Sequence, residues 1–210
     1  MRPRYPGVPP ELGQAPLRTV RARDVGAYVQ PHKDLARLET RGLLHRLAVG
    51  FYTVVPQDRV GSEWMPTLEG AAAGIGAAEF GEGQYALMGL TAARLHRAIP
   101  RAVAVAVIAA PRRRRPITMT DRDASIRFLP RDIGALDAEL IQTDLGGCLV
   151  TTPEQTVLDL AHLPKLGELE REATAAIQAL LPRCDEEAMA RIAASQRLGR
   201  AFDRVRRIKT

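Results

Sequence analysis

Three cations stand four residues apart in the segment PHKDLARLETRG: Lys33, Arg37 and Arg41. In a helix, positions i, i+4 and i+8 share one face, so the three form a row, with Thr40 beside Arg37. Leu35 and Leu38 fall on another face and can hold a core. A DNA-reading helix needs that layout, with its apolar side inward and its donors outward. An Arg guanidinium can pair bidentately with guanine, while Lys and Thr serve phosphates or bases. Arg21 and Arg23, just upstream, are placed to clamp backbone phosphate. His45 and Arg46, just downstream, are placed to reach a groove. The competing reading is a solvated basic face that contacts nothing.

Other clusters are less specific. Arg112, Arg113, Arg114 and Arg115 form a basic patch between prolines 111 and 116. It reads either as a phosphate-binding patch, for DNA or an acidic partner, or as a solvated loop. Arg200, Arg204, Arg206, Arg207 and Lys209 read as a frayed, solvated tail. Asp121 and Asp123 are an i, i+2 acidic pair of the kind common in turns, so no cation site is assigned. Asp159 reads as a structural acid paired with a nearby Arg. The histidines at 32, 45, 96 and 162 lack metal-ligand spacing, and no metal is expected. Gly81-Glu82-Gly83-Gln84 lacks the Lys and Ser/Thr of a phosphate loop, and the protein-kinase signatures are absent. No catalytic residue is assigned and no cofactor is expected.

The elements around the basic row are legible. Leu17–Val20 is extended and Ala22–Tyr28 reads as a short helix. Pro31 suits a first helical position, and Gly42 a stop after Arg41. Leu43–Ala48 and Phe51–Val55 then form a hairpin around Val49-Gly50. Helix, turn, helix and hairpin make a winged helix-turn-helix over residues 1–58. Residues 59–210 form a second, mixed α/β domain. Leu68–Phe80 reads as a loosely specified Ala- and Gly-rich helix, and Tyr85–Arg97 as another. Arg101–Ala110 is the firmest strand, followed by Ser125–Leu129, Ala138–Thr143 and Gly147–Thr151. Thr152-Pro153-Glu154-Gln155 is a capping box that opens a helix, and three more helices follow. The fold class is α+β, an N-terminal winged helix-turn-helix plus a C-terminal mixed α/β domain ending in several helices.

The formal net charge is +6, and residues 1–60 hold ten Arg or Lys against five acids. They therefore carry +5 of that total, which points to an anionic partner, nucleic acid first. Cys148 and Cys184 form no CxxC pair, in keeping with a reducing compartment. No signal peptide or membrane span is read, so the expected location is the cytoplasm, with no membrane partner.

One further pattern joins these segments. Leu35, Leu38, Arg41-Gly42-Leu43-Leu44, Arg46, Gly50 and Tyr52 resemble the winged-helix start of AbiEi-type antitoxins. Gly89-Leu90-Thr91-Ala92-Ala93 and His96-Arg97 are similar to that family's middle segment, as is the strand at 103–108 followed by basic residues. Thr152 to Leu160, TPEQTVLDL, resembles its later helix start. The resemblance implies a partner, an AbiEii-type nucleotidyltransferase toxin encoded alongside. It implies repression of the operon through inverted repeats in promoter DNA, with possible self-association there. It also implies a C-terminal domain that neutralises the toxin, directly or indirectly. Two alternatives stay open. One is an atypical protein kinase that uses ATP to phosphorylate the toxin. The other is a plain winged-helix transcription factor.

Overall fold

A computed structural model describes residues 7–26 and 28–209. Arg2 and Arg4 of the basic N-terminal segment, and Ala27 of the expected 22–28 helix, lie outside the described residues.

The N-terminal part opens with α1 (Pro10–Gln14) and β1 (Thr19–Arg21), then a single 3-10 turn at Ala22–Asp24. That turn stands where a longer helix was expected. Next come α2 (Pro31–Thr40), β2 (Leu44–Ala48) and β3 (Phe51–Val54). The strands form an antiparallel sheet in the order β1-β3-β2. Pro31 starts α2 as its first helical residue. Gly42, at φ 69°, ends it, and the Leu43 amide donates back to the Leu38 carbonyl at 3.0 Å. That left-handed position suits glycine, which has no Cβ to clash. Leu35 and Leu38 are buried with Leu12, Ala22, Leu44, Tyr52 and Val54, a small core of this part alone.

The second part is built around α3 (Leu68–Phe80), which is buried almost all round. Thr67 caps it by accepting from the Gly70 amide at 3.1 Å, and Asp144 accepts from the Thr67 hydroxyl at 2.7 Å. The helix is far from loosely specified, because its glycines set distances. A Cβ on Gly74 would lie 2.3 Å from Thr19 Oγ1, and one on Gly76 would lie 2.6 Å from the Tyr85 ring.

A six-stranded mixed sheet follows. Its strands are β4 (Ala86–Leu87), β5 (Val105–Ala110), β6 (Ile117–Thr118), β7 (Ser125–Pro130), β8 (Ala138–Gln142) and β9 (Gly147–Thr151). Their order is β6-β7-β5-β4-β9-β8. β5 and β7 run parallel, as do β4 and β9. The helices are α4 (Gly89–Leu95), α5 (Pro153–His162), α6 (Glu170–Leu180), α7 (Glu186–Ser195) and α8 (Gly199–Lys209). Together with one face of the sheet they enclose the main core. The expected Tyr85–Arg97 helix is therefore a short strand and then a shorter helix. Gly89, at φ 59°, turns the chain between them.

The N-terminal part has its own small core and also contributes to the main one. Leu47, Ala48 and Phe51 of the hairpin are buried in the main core. The Thr120 amide donates to the Leu47 carbonyl at 2.9 Å, and Ala48 forms a β-bridge with Met119. The winged sheet thus has α2 on one face and α3 on the other.

Candidate nucleic-acid interface

The face of α2 opposite Leu35 and Leu38 is open. Lys33, Arg37, Thr40 and Arg41 are all exposed. Arg37 pairs with Asp34 at 3.2 Å across one turn, and its side chain keeps 69% of its exposure. Lys33 and Arg41 make no ion pair among the described residues. The Thr40 hydroxyl donates to the Ala36 carbonyl at 3.0 Å, which steadies its side chain against the helix. Arg23 is also exposed, with Asp24 3.8 Å away. Surface pairs this loose contribute little and break readily for a stronger anion. Lys33, Arg37 and Arg41 form one basic row along α2 with Thr40 beside it, and Arg23 is exposed on the turn before the helix.

The other three assigned residues are each half-buried. Arg21 turns inward. Its guanidinium lies 2.5 Å from Asp24 and 2.6 Å from Glu79 of α3, at 15% exposure. His45 also turns inward, with Nε2 2.8 Å from Asp121 Oδ2 and its ring edge-on to Trp64. Arg46 is half-buried with its guanidinium 5.9 Å from the Tyr52 ring centroid, and its Nε has no partner. Arg21 and His45 therefore join the two halves of the molecule and do not line its outer face. Nothing local in the sequence marks this, because their acids lie 58 and 76 residues away.

Glu79 explains half of the arginine run. Its carboxylate is 2% exposed and lies 3.3 Å from Arg114 and 3.6 Å from Arg112. Arg112 also stands over the Phe80 ring at 5.4 Å. Arg113 and Arg115 stay exposed, with no ion pair among the described residues. A Glu inside an otherwise apolar helix was the available signal, since acids are seldom fully buried without a partner. Glu69, on the first turn of the same helix, is paired likewise with Arg94 at 2.5 Å.

The remaining candidates are occupied internally. Asp121 bonds His45 and, at 2.8 Å, Arg122. Burial disfavours its charge, but those bonds outweigh it and hold its carboxyl down at about 2. Asp159 is 2% exposed and pairs with Arg131, as expected. Burial outweighs that pairing and pushes its carboxyl up to about 6. Gln155 was expected to close the capping box, but it turns inward to Asp159 and Gln196. Only the Thr152 half of the box forms, with its hydroxyl accepting from the Gln155 amide at 3.3 Å. His96 is buried and its Nε2 meets the Thr151 carbonyl at 2.7 Å. The arginine-rich C-terminal segment is not a frayed tail but the helix α8, where Arg204 donates to the Ala161 carbonyl. Among the described residues no helix is long and apolar enough to cross a membrane.

Comparison with known proteins matches residues 85–208 to the family described as the AbiEi antitoxin C-terminal domain. No curated protein matches the chain. Among solved structures, the fold is similar to the crystal structure of the RV2827C protein from Mycobacterium tuberculosis. The TM-score is 0.58 at 17% identity, over 93% of this chain and 74% of that one. At that identity the likeness concerns fold alone.

Proposed function

We propose, on the premise that this chain belongs to the AbiEi antitoxin family, that it carries out two tasks on two surfaces. The family makes it the antitoxin of a toxin–antitoxin pair. In our reading, it uses Arg23, Lys33, Arg37, Thr40 and Arg41 to bind promoter DNA of its own operon at inverted repeats and represses it. The domain from residue 85 onward neutralises a cognate nucleotidyltransferase toxin.

The observation that carries the DNA reading is the row on α2 itself. Several arginines elsewhere on the molecule lie against carboxylates, as at Arg94, Arg101, Arg122 and Arg131, while Arg113, Arg115, Arg197 and Arg200 are exposed like those on α2 but do not share one helix face with a row of cations. On α2 the acids take up little of the charge. Unpaired cations on an exposed helix face can release the counterions of DNA at little cost in lost internal bonds.

The test is titration of the full-length protein against the DNA upstream of its own gene. Salt-dependent binding that is lost with Lys33→Ala, Arg37→Ala and Arg41→Ala together is the expected result. Unchanged affinity in that triple variant would mean that the DNA lies elsewhere. The toxin reading is tested by co-expression with the neighbouring nucleotidyltransferase, using the same triple variant and recording the toxin's mass. Rescue with unaltered mass supports neutralisation by binding, or by competition at the toxin's substrate site. Rescue with a phosphate-sized increment would make this domain an ATP-using kinase. Failure of the intact protein to rescue would leave a transcription factor.

A further inference from the structure

The C-terminal helices line an open basic cleft that none of these roles uses. It has a volume of about 650 Å³ and lies between the end of α5 and the start of α8. His162, Arg197, Arg200 and Arg204 line it, over a floor that includes Ala161 and Leu198. We infer that this cavity is a binding site for a small organic phosphate.

The first ground is charge. Three guanidiniums and an imidazole share one concavity, and no carboxylate lines it. Arg197 and Arg200 are exposed and make no ion pair among the described residues. Like charges held together repel one another unless an anion joins them. The contrast within the same molecule is direct, because Glu79 sits at the centre of the other arginine cluster, whereas no carboxylate is among the residues lining this one. Gly199 and Arg200 also open α8, so the positive end of that helix's dipole lies at the cavity.

The second ground is construction. Arg204 is committed to the Ala161 carbonyl at the end of α5, which ties α8 to α5 and fixes the cavity wall. Ala161, Leu198 and Ala201 are 1%, 3% and 2% exposed, so the floor is packed and apolar. An apolar floor with a few convergent polar groups, within roughly 300–1,000 Å³, is the usual form of a small-molecule site. The guanidiniums suit a phosphate, whose oxygens accept paired N–H donors. The floor suits a flat carbon body attached to it.

The test uses the full-length protein with AMP and inorganic phosphate as probes, followed by calorimetry. AMP should bind saturably and more tightly than phosphate. The double variant R197E/R200E should weaken AMP about tenfold or more. The charge-matched control R171E/R191E, on exposed positions outside the cavity, should leave AMP affinity within about twofold. Melting temperatures of both variants should match the parent, which separates lost binding from lost folding. Three results would overturn the inference: no saturable AMP binding, equal weakening in the control, or phosphate binding as tight as AMP. Loss of DNA affinity in R197E/R200E without any AMP binding would assign the cavity to nucleic acid and overturn it as well.

Discussion

The two faces of the winged segment use the same residue type for opposite ends. On α2, Arg37 and Arg41 point outward with one loose pair between them. On β1, Arg21 points inward and is held by two carboxylates at 2.5 and 2.6 Å. The two surfaces lie within one small sheet-and-helix unit and differ only in what stands opposite. A solvated face keeps its charge available to a partner. The face against α3 spends its charge on holding two halves of the chain together. Basicity in a sequence therefore measures neither function until the acids are placed.

Substitutions can break that contrast, and the largest effects belong to the inward face. Gly74→Val would drive a side chain into Thr19, where even a Cβ would stand 2.3 Å from Oγ1. Its cost should be about 3 kcal/mol, at the upper end for overpacking, because strand and helix must both move. Urea unfolding would show it, and DNA and toxin activities should fall together. Glu79→Gln should cost about 2 kcal/mol, less than a fully buried pair because Arg112 remains largely exposed. An unchanged unfolding midpoint would show that the three arginines do not depend on that carboxylate.

The outward face should behave differently. Arg37→Ala should weaken operator binding by roughly 1–3 kcal/mol if it reads a base, with unfolding unchanged. Lys33→Ala should weaken all DNA evenly and reduce the salt slope by about one. Loss of stability in either variant would erase the distinction between the faces.

Acid gives a finer test within the second part. Asp159 is raised to about 6 in the fold from an ordinary value of 3.8, so the native state takes up its proton first. Its contribution to stability therefore grows as pH falls from above 6 towards 4. Asp121 is lowered to about 2, so its contribution is present above pH 4 and is lost as pH falls towards 2. Melting temperature against pH should carry both slopes. Asp159→Asn should remove the upper one and Asp121→Asn the lower one.

Much of this architecture is written locally. α2 was legible from Pro31, two leucines and Gly42, and α5 from Thr152-Pro153. β9 and α3 match their sequence limits, because each is bounded by turn or capping residues. β4 was not legible, since two residues inside the apolar stretch Tyr85–Leu90 carry no period of their own. Strand there is imposed by β5 and β9 on either side. The exposed basic row on α2 followed from spacing along one helix. The inward turn of Arg21 and His45 did not, because Glu79 and Asp121 are brought to them only by the tertiary fold. The cavity at α8 escaped for the same reason, as His162 and Arg200 meet only when α5 and α8 pack.

The hairpin's burial against α3 has a consequence for anyone re-targeting the protein. Leu47, Ala48 and Phe51 are walls of the neighbouring core, and Thr19 fills the notch over Gly74. The winged segment is thus not a cartridge that can be unplugged and exchanged for another winged helix. A transplanted segment would arrive with the wrong relief on its underside and leave the long helix wet. If α2 reads the operator as proposed, new preferences have to be written residue by residue on that helix, on a scaffold that is otherwise kept whole.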